Sequence, residues 1–383
     1  MIIEHNYYYI EGKFWHMKVL VVSLKNRTVY NFRGDLIKEI ISKGHEVIVA
    51  GPDRIDVEKI YMLGASFFEI PMDKNGVNPF KDIEYKKRIE NLIDKEKPDI
   101  VFCYTVKPVI YGTLAAKKCG VKKIFPMITG MGYAFVSETL KAKLLKLVIT
   151  FLYKHSLKYS SRVIFQNPDD LDFFVKRKIV SEDKCFLVNG SGVNMDRFSK
   201  APLPKKMVFF MLSRIMNNKG VKEYLSAAEK VKKLYPEVEF RLLGAIENTQ
   251  DSLDESQIYF YIQKGIIKYF PECSDVVPYY HDCSVFVLPS YREGTPRSVL
   301  EAMSCGRAII TTDAPGCRET VKDGINGFLV PVKNVDALVE KMILFIENPN
   351  IAGSMGEASY KYCREKYEIK TVNRCMLEIM EID

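Results

Sequence analysis

The chain has 383 residues, 47% of them hydrophobic and 27% charged, a balance that suits a soluble globular protein with two cores rather than one. Lys and Arg number 56 against 48 Asp and Glu, a net charge of +8 that fits phosphates, nucleic acid, an anionic membrane surface or simply a solvated lysine-rich face. Five histidines without metal-ligand spacing and nine scattered cysteines argue against a zinc hydrolase or a Ser-His-Asp enzyme, and for free thiols in a reducing compartment.

Residues 1–16 form a polar, aromatic extension without the apolar stretch of a secretory signal, and Met17 is an alternative start. No apolar run approaches the roughly 18–20 residues of a membrane span. The first predicted strand is 18–23, a β-branched run. A loop over 24–32 follows, then a helix over 33–43 with Leu36, Ile37, Ile40 and Ile41 on one face and Gly44 as its terminator. Strands are predicted at 47–50, 100–104, 124–128 and 163–166. Residues 197–206 carry two prolines and no periodicity, so they read as a linker. The pattern restarts with strands at 208–212, 239–243, 265–269, 285–288 and 308–311, and a last helix is predicted over 354–380. Alternating strands and helices imply parallel sheets covered on both faces. The expected organisation is an α/β chain of two Rossmann-like domains, 17–196 and 207–355, with a closing helical segment, 356–383, that packs back toward the first domain. Ligands of such sheets bind beyond the carboxyl ends of the strands, so loops after strands matter most.

Two such loops carry candidate chemistry. After the strand at 208–212 come Arg214 and Lys219, five residues apart, with a helix expected from Val221. Free N–H groups and the helix dipole favour an anion there, and two cations suit a diphosphate; two solvated basic residues are the plain alternative. After the strand at 285–288 come Glu293, Gly294, Thr295 and Pro296, with Glu301 eight residues beyond Glu293 in the first turn of the next helix. A loop carboxylate accepts hydrogen bonds from sugar hydroxyls, and a helical one can hold a vicinal diol. Ser298 to Glu301 also spells a capping box, so Glu301 has a purely structural alternative.

The ordered set Arg214, Lys219, Glu293, Glu301 resembles the signature of glycosyltransferase family 4, retaining enzymes of the GT-B fold. Residues 42–47 resemble that family's first helix-to-strand turn, and 323–330 its late hairpin. The resemblance covers nearly all of 17–383. It implies that Arg214 and Lys219 bind the donor diphosphate and stabilise the charge of the leaving group without a metal, so no cofactor is expected. Glu301 would hold the ribose hydroxyls and Glu293 the donor sugar, with Gly294, Thr295 and Pro296 lining sugar and diphosphate. The donor would be a UDP-sugar, and the first domain would bind the acceptor.

In that domain the resemblance is looser. The first strand–helix loop has Phe32, Arg33 and Gly34 where many relatives have a glycine pair, and no histidine stands near Thr129 and Gly130. The 129–133 loop and residues 104–108 resemble a bacterial subgroup that adds galactose or an N-acetylhexosamine to lipid-linked saccharides. Gly34, Thr129 and Gly130 are therefore candidate substrate contacts. The 138–162 stretch interleaves Leu140, Leu144, Leu147 and Phe151 with Lys141, Lys143, Lys146, Lys154 and Lys158. It reads either as a core helix with a solvated lysine face or as a helix resting on an anionic membrane. The expected enzyme is a hexosyltransferase, peripheral on the inner face of a bacterial membrane and without a nucleic-acid partner. A GT-B-fold nucleotide-sugar epimerase and a basic nucleic-acid-binding module are the alternatives.

Overall fold

The structure, a computed structural model, describes residues 16–74, 78–132, 135, 139–246 and 251–383. The extension over 1–16 lies outside these but for His16, as do Tyr133 and Glu138. Two parallel sheets organise the chain. The first has seven strands in the order β3-β2-β1-β4-β5-β6-β7: β1 Lys18–Val22, β2 Glu46–Gly51, β3 Ser66–Glu69, β4 Ile100–Tyr104, β5 Lys123–Ile128, β6 Val163–Phe165 and β7 Cys185–Leu187. The second has six in the order β10-β9-β8-β11-β12-β13: β8 Val208–Leu212, β9 Glu239–Leu243, β10 Lys268–Phe270, β11 Val285–Leu288, β12 Ala308–Thr312 and β13 Gly327–Val330. Helices cover both faces, so the central strands β4 and β11 are buried along their whole length, which is why they read as unbroken apolar runs.

The structure departs from the sequence expectation in several places, among them the strand expected at 265–269, which is the shorter β10. Strands β3 and β7 carry no long apolar run because they are short edge strands, mostly half-buried or exposed. The segment 323–330 is not a hairpin: its strand β13 runs parallel to β12, with Ile309 opposite Gly327. Residues 26–32 are helix rather than loop, with the Asn26 side chain donating to the Asp53 carbonyl at 2.7 Å and the Ile55 carbonyl at 2.8 Å. That helix shows little periodicity because its buried residues are only Asn26 and Val29. Arg33 interrupts it, and the next helix starts at Gly34.

The predicted last helix is two, Asn350–Lys366 and Ile369–Met380, the second capped by the Glu368 carboxylate, which accepts from the Thr371 N–H at 3.2 Å. The first packs into the core of the second sheet through Ala352, Met355 and Cys363. The second carries Met376, Leu377, Ile379 and Met380 into the core that Val19 and Ile37 share. The chain thus crosses between the two halves twice, and the crossings are tied where Val193 donates to Tyr367 O (2.8 Å) and Ile369 donates to Val193 O (3.0 Å).

Candidate active site

In the second sheet the strand order reverses between β8 and β11, and it is outside the carboxyl ends of the strands at such a switch point that open α/β sheets form their ligand crevice. The loop after β8 makes a short 3-10 turn, Asn217–Lys219, and ends at Gly220, whose φ of 75° and whose closeness to the Pro289 carbonyl leave no room for a side chain. The loop after β11 is laced to it: Tyr291 N–H and Ser290 Oγ both donate to the Asn218 carbonyl, at 2.9 and 3.1 Å. This lacing brings Lys219 Nζ to 2.5 Å from Glu293 Oε1, while Ser290 Oγ donates to the same oxygen at 2.8 Å. Both side chains of the pair are about 15% exposed (16% and 14%), so their charges face a poorly hydrated space. Arg214 lies in the same loop and is exposed at the carboxyl end of β8.

Glu301 is the fifth residue of the helix Arg297–Ser304, in its second turn rather than its first. Pro296 is the N-cap, and its carbonyl receives Val299 N–H at 3.0 Å; Ser298 lies inside the helix, so the capping box does not form. Glu301 instead accepts from Tyr280 Oη at 2.8 Å and Arg297 Nε at 3.2 Å. Burial raises its pKa, against the opposing pull of Arg297. The carboxylate is held by side chains, which removes the structural alternative that the spacing allowed.

The first half of the chain meets this loop directly. A Cβ on Gly294 would run into the Thr129 carbonyl and lie 2.7 Å from Gln166 Oε1; one on Gly130, at φ 116°, would come within 3.2 Å of Gly294 N. Asn167 Nδ2 donates to the Gly294 carbonyl at 2.9 Å, and Thr295 Oγ1 donates to the Gln166 carbonyl at 2.9 Å. The structure therefore brings Thr129 and Gly130 to the candidate site. It also turns the Gly294 carbonyl and the Thr295 hydroxyl toward the other half of the protein rather than leaving them to a ligand. Gly34 is not in this set: it is buried in the first turn of its helix, with Leu63 the neighbour a Cβ would meet at 3.3 Å. Its small size there suits the packing of the helix against Leu63.

The spacing of the motifs did not single out Asn167, Asp169, Asp170, Arg292 and Arg318. Arg292 pairs with the fully buried Asp170, and Arg318 grips Asp169 through Nη1 at 2.8 and 3.0 Å. The one available signal was the helix start at Asn167 and Pro168 just after β6, which places Asp169 and Asp170 in a first turn at the carboxyl end of a strand. Asp170→Ala would leave the Arg292 guanidinium without its counterion one residue before Glu293. Because Arg292 is itself one-fifth exposed, the expected loss is on the order of 2–3 kcal/mol, below that of a fully buried pair. The urea midpoint measures it, and a change within about 0.5 kcal/mol, as for an ordinary surface substitution, would show that the pair does not hold the two halves together. Among the described residues no group of three His, Cys, Asp or Glu is placed to hold a metal ion.

Comparison with known proteins gives this crevice a context. The model of glycosyl transferases group 1 matches residues 194–362, and that of glycosyl transferase 4-like proteins matches 18–167. The N,N'-diacetylbacillosaminyl-diphospho-undecaprenol alpha-1,3-N-acetylgalactosaminyltransferase of Campylobacter jejuni is 28% identical over 364 residues, 90% of this chain and 95% of that protein. The UDP-Gal:alpha-D-GlcNAc-diphosphoundecaprenol alpha-1,3-galactosyltransferase of Escherichia coli is 27% identical over 72% of this chain and 73% of its own length. Among solved structures, a glycosyltransferase of Rickettsia africae superposes with a TM-score of 0.74 at 21% identity, covering 96% of this chain and 98% of that one. Anabaena Alr3699/HepE, solved with UDP and glucose, superposes with a TM-score of 0.77 at 15% identity, covering 96% and 100%. With both halves of the chain matched by models of the same kind of protein, residues 194–362 form a glycosyl transferases group 1 domain and residues 18–167 a glycosyl transferase 4-like domain, and the fold is that of the GT-B glycosyltransferases.

Proposed function

We propose that the protein moves a hexose or N-acetylhexosamine (GalNAc, GlcNAc or Gal) from a UDP-sugar to a lipid-linked saccharide, with retention of configuration at the transferred carbon. The observation that carries this reading is the contact of Lys219 with Glu293 beyond the carboxyl ends of β8 and β11, with Arg214 in the loop after β8 and Glu301 held by Tyr280 and Arg297. Lys219 and Arg214 neutralise the diphosphate and stabilise it as it departs, without a metal. Glu293 holds donor hydroxyls, its Oε1 already fixed by Lys219 and Ser290. Glu301 takes the ribose diol. The names of the Campylobacter and Escherichia relatives, one specifying a UDP-sugar and both a lipid-diphosphate saccharide, support the choice of donor and acceptor. The test is a thermal-shift screen across nucleotide sugars followed by transfer to a polyprenyl-diphosphate saccharide. A donor that binds the folded state raises Tm. Stabilisation by no UDP-sugar, or a product of inverted configuration, would overturn the reading.

A lipid-borne acceptor requires the enzyme to work at a membrane surface. No helix among the described residues is long and apolar enough to cross a membrane. The helix Leu140–Leu157, however, buries only Ala142, Tyr153, Ser156 and Leu157. Leu140, Leu144, Leu147, Val148 and Phe151 stand exposed along it, with Lys141, Lys143 and Lys154 also exposed. This reading has the apolar stripe entering the headgroup region of an anionic bilayer, with the lysines beside it. Leu144→Glu combined with Phe151→Glu is expected to abolish co-sedimentation with phosphatidylglycerol vesicles and to leave Tm unchanged, because both side chains are already in water. Undiminished sedimentation would remove this face from the membrane.

A further inference from the structure

Arg33 is 4% exposed, yet no carboxylate among the described residues pairs with it. Its Nη2 meets only the Met127 sulfur at 3.1 Å, its Nη1 reaches the Phe32 carbonyl at a long 3.4 Å, and its Nε has no partner. The guanidinium lies 5.4 Å from the centre of the Tyr104 ring. Burial, against the opposing pull of Tyr104 and with a smaller push from Arg297 of the other half, lowers its pKa to about 10. A guanidinium taken out of water without an anion costs more than a sulfur acceptor and one aromatic face return.

Its position in the fold is specific. Tyr104 ends β4, and its hydroxyl is hydrogen-bonded to Ser23 Oγ at 3.0 Å, just past β1. Strands β1 and β4 are the neighbours at which the order of the first sheet reverses. Met127 precedes by two residues Thr129, whose carbonyl abuts Gly294. Arg33 therefore sits at the switch point of the first sheet, where an open α/β sheet takes its ligand. Arg297, in the helix that follows Glu293 and itself paired with Glu301, is near enough for its charge to act on Arg33.

We propose that Arg33 is an anion-binding residue of the first half, completed by a phosphate group of a substrate entering the cleft. This rests on the glycosyltransferase reading of the cleft. The phosphate is either the donor's diphosphate or a phosphate of the acceptor; in both cases its oxygens replace the Met127 sulfur and the Phe32 carbonyl as acceptors for the fork of N–H donors.

The experiment compares the wild type with Arg33→Met, which keeps an apolar stem, and Arg33→Lys, which keeps the charge. Arg33→Met is expected to melt at or above the wild-type Tm, because it removes an uncompensated buried charge, while kcat/KM falls on the order of 10–100-fold. Arg33→Lys is expected to recover part of that loss. A UDP Kd weakened by the same factor assigns the phosphate to the donor. An unchanged UDP Kd with a lowered kcat/KM for acceptor at saturating donor assigns it to the acceptor. The thermal shift given by inorganic diphosphate, smaller in Arg33→Met than in the wild type, reads the residue without turnover. It therefore separates failure at Arg33 from failure of the transferase reading, which would show as a wild type that transfers no sugar. An unchanged kcat/KM and diphosphate shift in Arg33→Met overturns the proposal. So does a Tm several degrees lower with activity falling only in step with the folded fraction, which makes Arg33 a packing residue.

Discussion

Lys219→Ala is expected to lower kcat by about 100- to 1,000-fold, the usual cost of removing one preorganised charge from a developing anion. The sequence placed this lysine at the mouth of a helix; the structure adds that its ammonium lies 2.5 Å from Glu293 Oε1 and is poorly hydrated. If Lys219 acts mainly on the departing diphosphate, kcat falls more than KM for the donor rises, because the charge it opposes grows in the transition state. Glu293→Gln is expected to reduce turnover similarly, since the amide loses the charge that fixes Lys219 while keeping the shape that accepts from Ser290 Oγ. Both variants should keep the wild-type circular dichroism spectrum, because neither side chain belongs to a hydrophobic core. Transfer within two-fold of wild type in either variant would mean that the crevice between β8 and β11 is not where the reaction occurs.

Gly294→Ala is expected to have the second largest effect, through geometry alone. A methyl group there meets the Thr129 carbonyl and Gln166 Oε1, both from the first half of the chain. The loop cannot give way cheaply toward Gly316 either, because that residue, at φ 79°, lies so close that a Cβ on it would be 2.3 Å from the Glu293 carbonyl oxygen. The loop would have to move, and the Asn167 bond to the Gly294 carbonyl would lengthen or break. Displacing Glu293 by about 1 Å suffices for a loss on the order of 100-fold in kcat. The two sheets should remain folded, so secondary structure persists while activity falls. Wild-type turnover in Gly294→Ala would show that the closed arrangement of the two halves is not the one in which transfer takes place.

The same loop shows which parts of the site were legible beforehand. Arg214, Lys219, Glu293 and Glu301 stand in order after two predicted strands, and the matches of 18–167 and 194–362 to glycosyl transferase models agree with the family their order suggested. The Glu301 ambiguity, by contrast, was real at the level of spacing. Ser298 and Glu301 stand three residues apart whether or not a helix starts at Ser298, and only the observed start at Arg297 decides that no capping box forms.

The sequence by itself determined the local facts: buried strands as β-branched runs, helix ends at glycine and proline, and chemistry-bearing residues just beyond the carboxyl ends of β8 and β11. These follow from periodicity and backbone preference within a dozen residues. Tertiary structure alone decided what faces the loop of Glu293 and Gly294. Asn167 reaches Gly294 across 127 positions and Arg292 reaches Asp170 across 122, and no local pattern encodes such pairings. Arg33 is the clearest case: in the sequence it is one cation among 56 basic residues, and its meaning comes from a burial that only the packing of Tyr104 and Met127 around it creates. Exposure, and with it the cost of a charge, is a property of the whole fold.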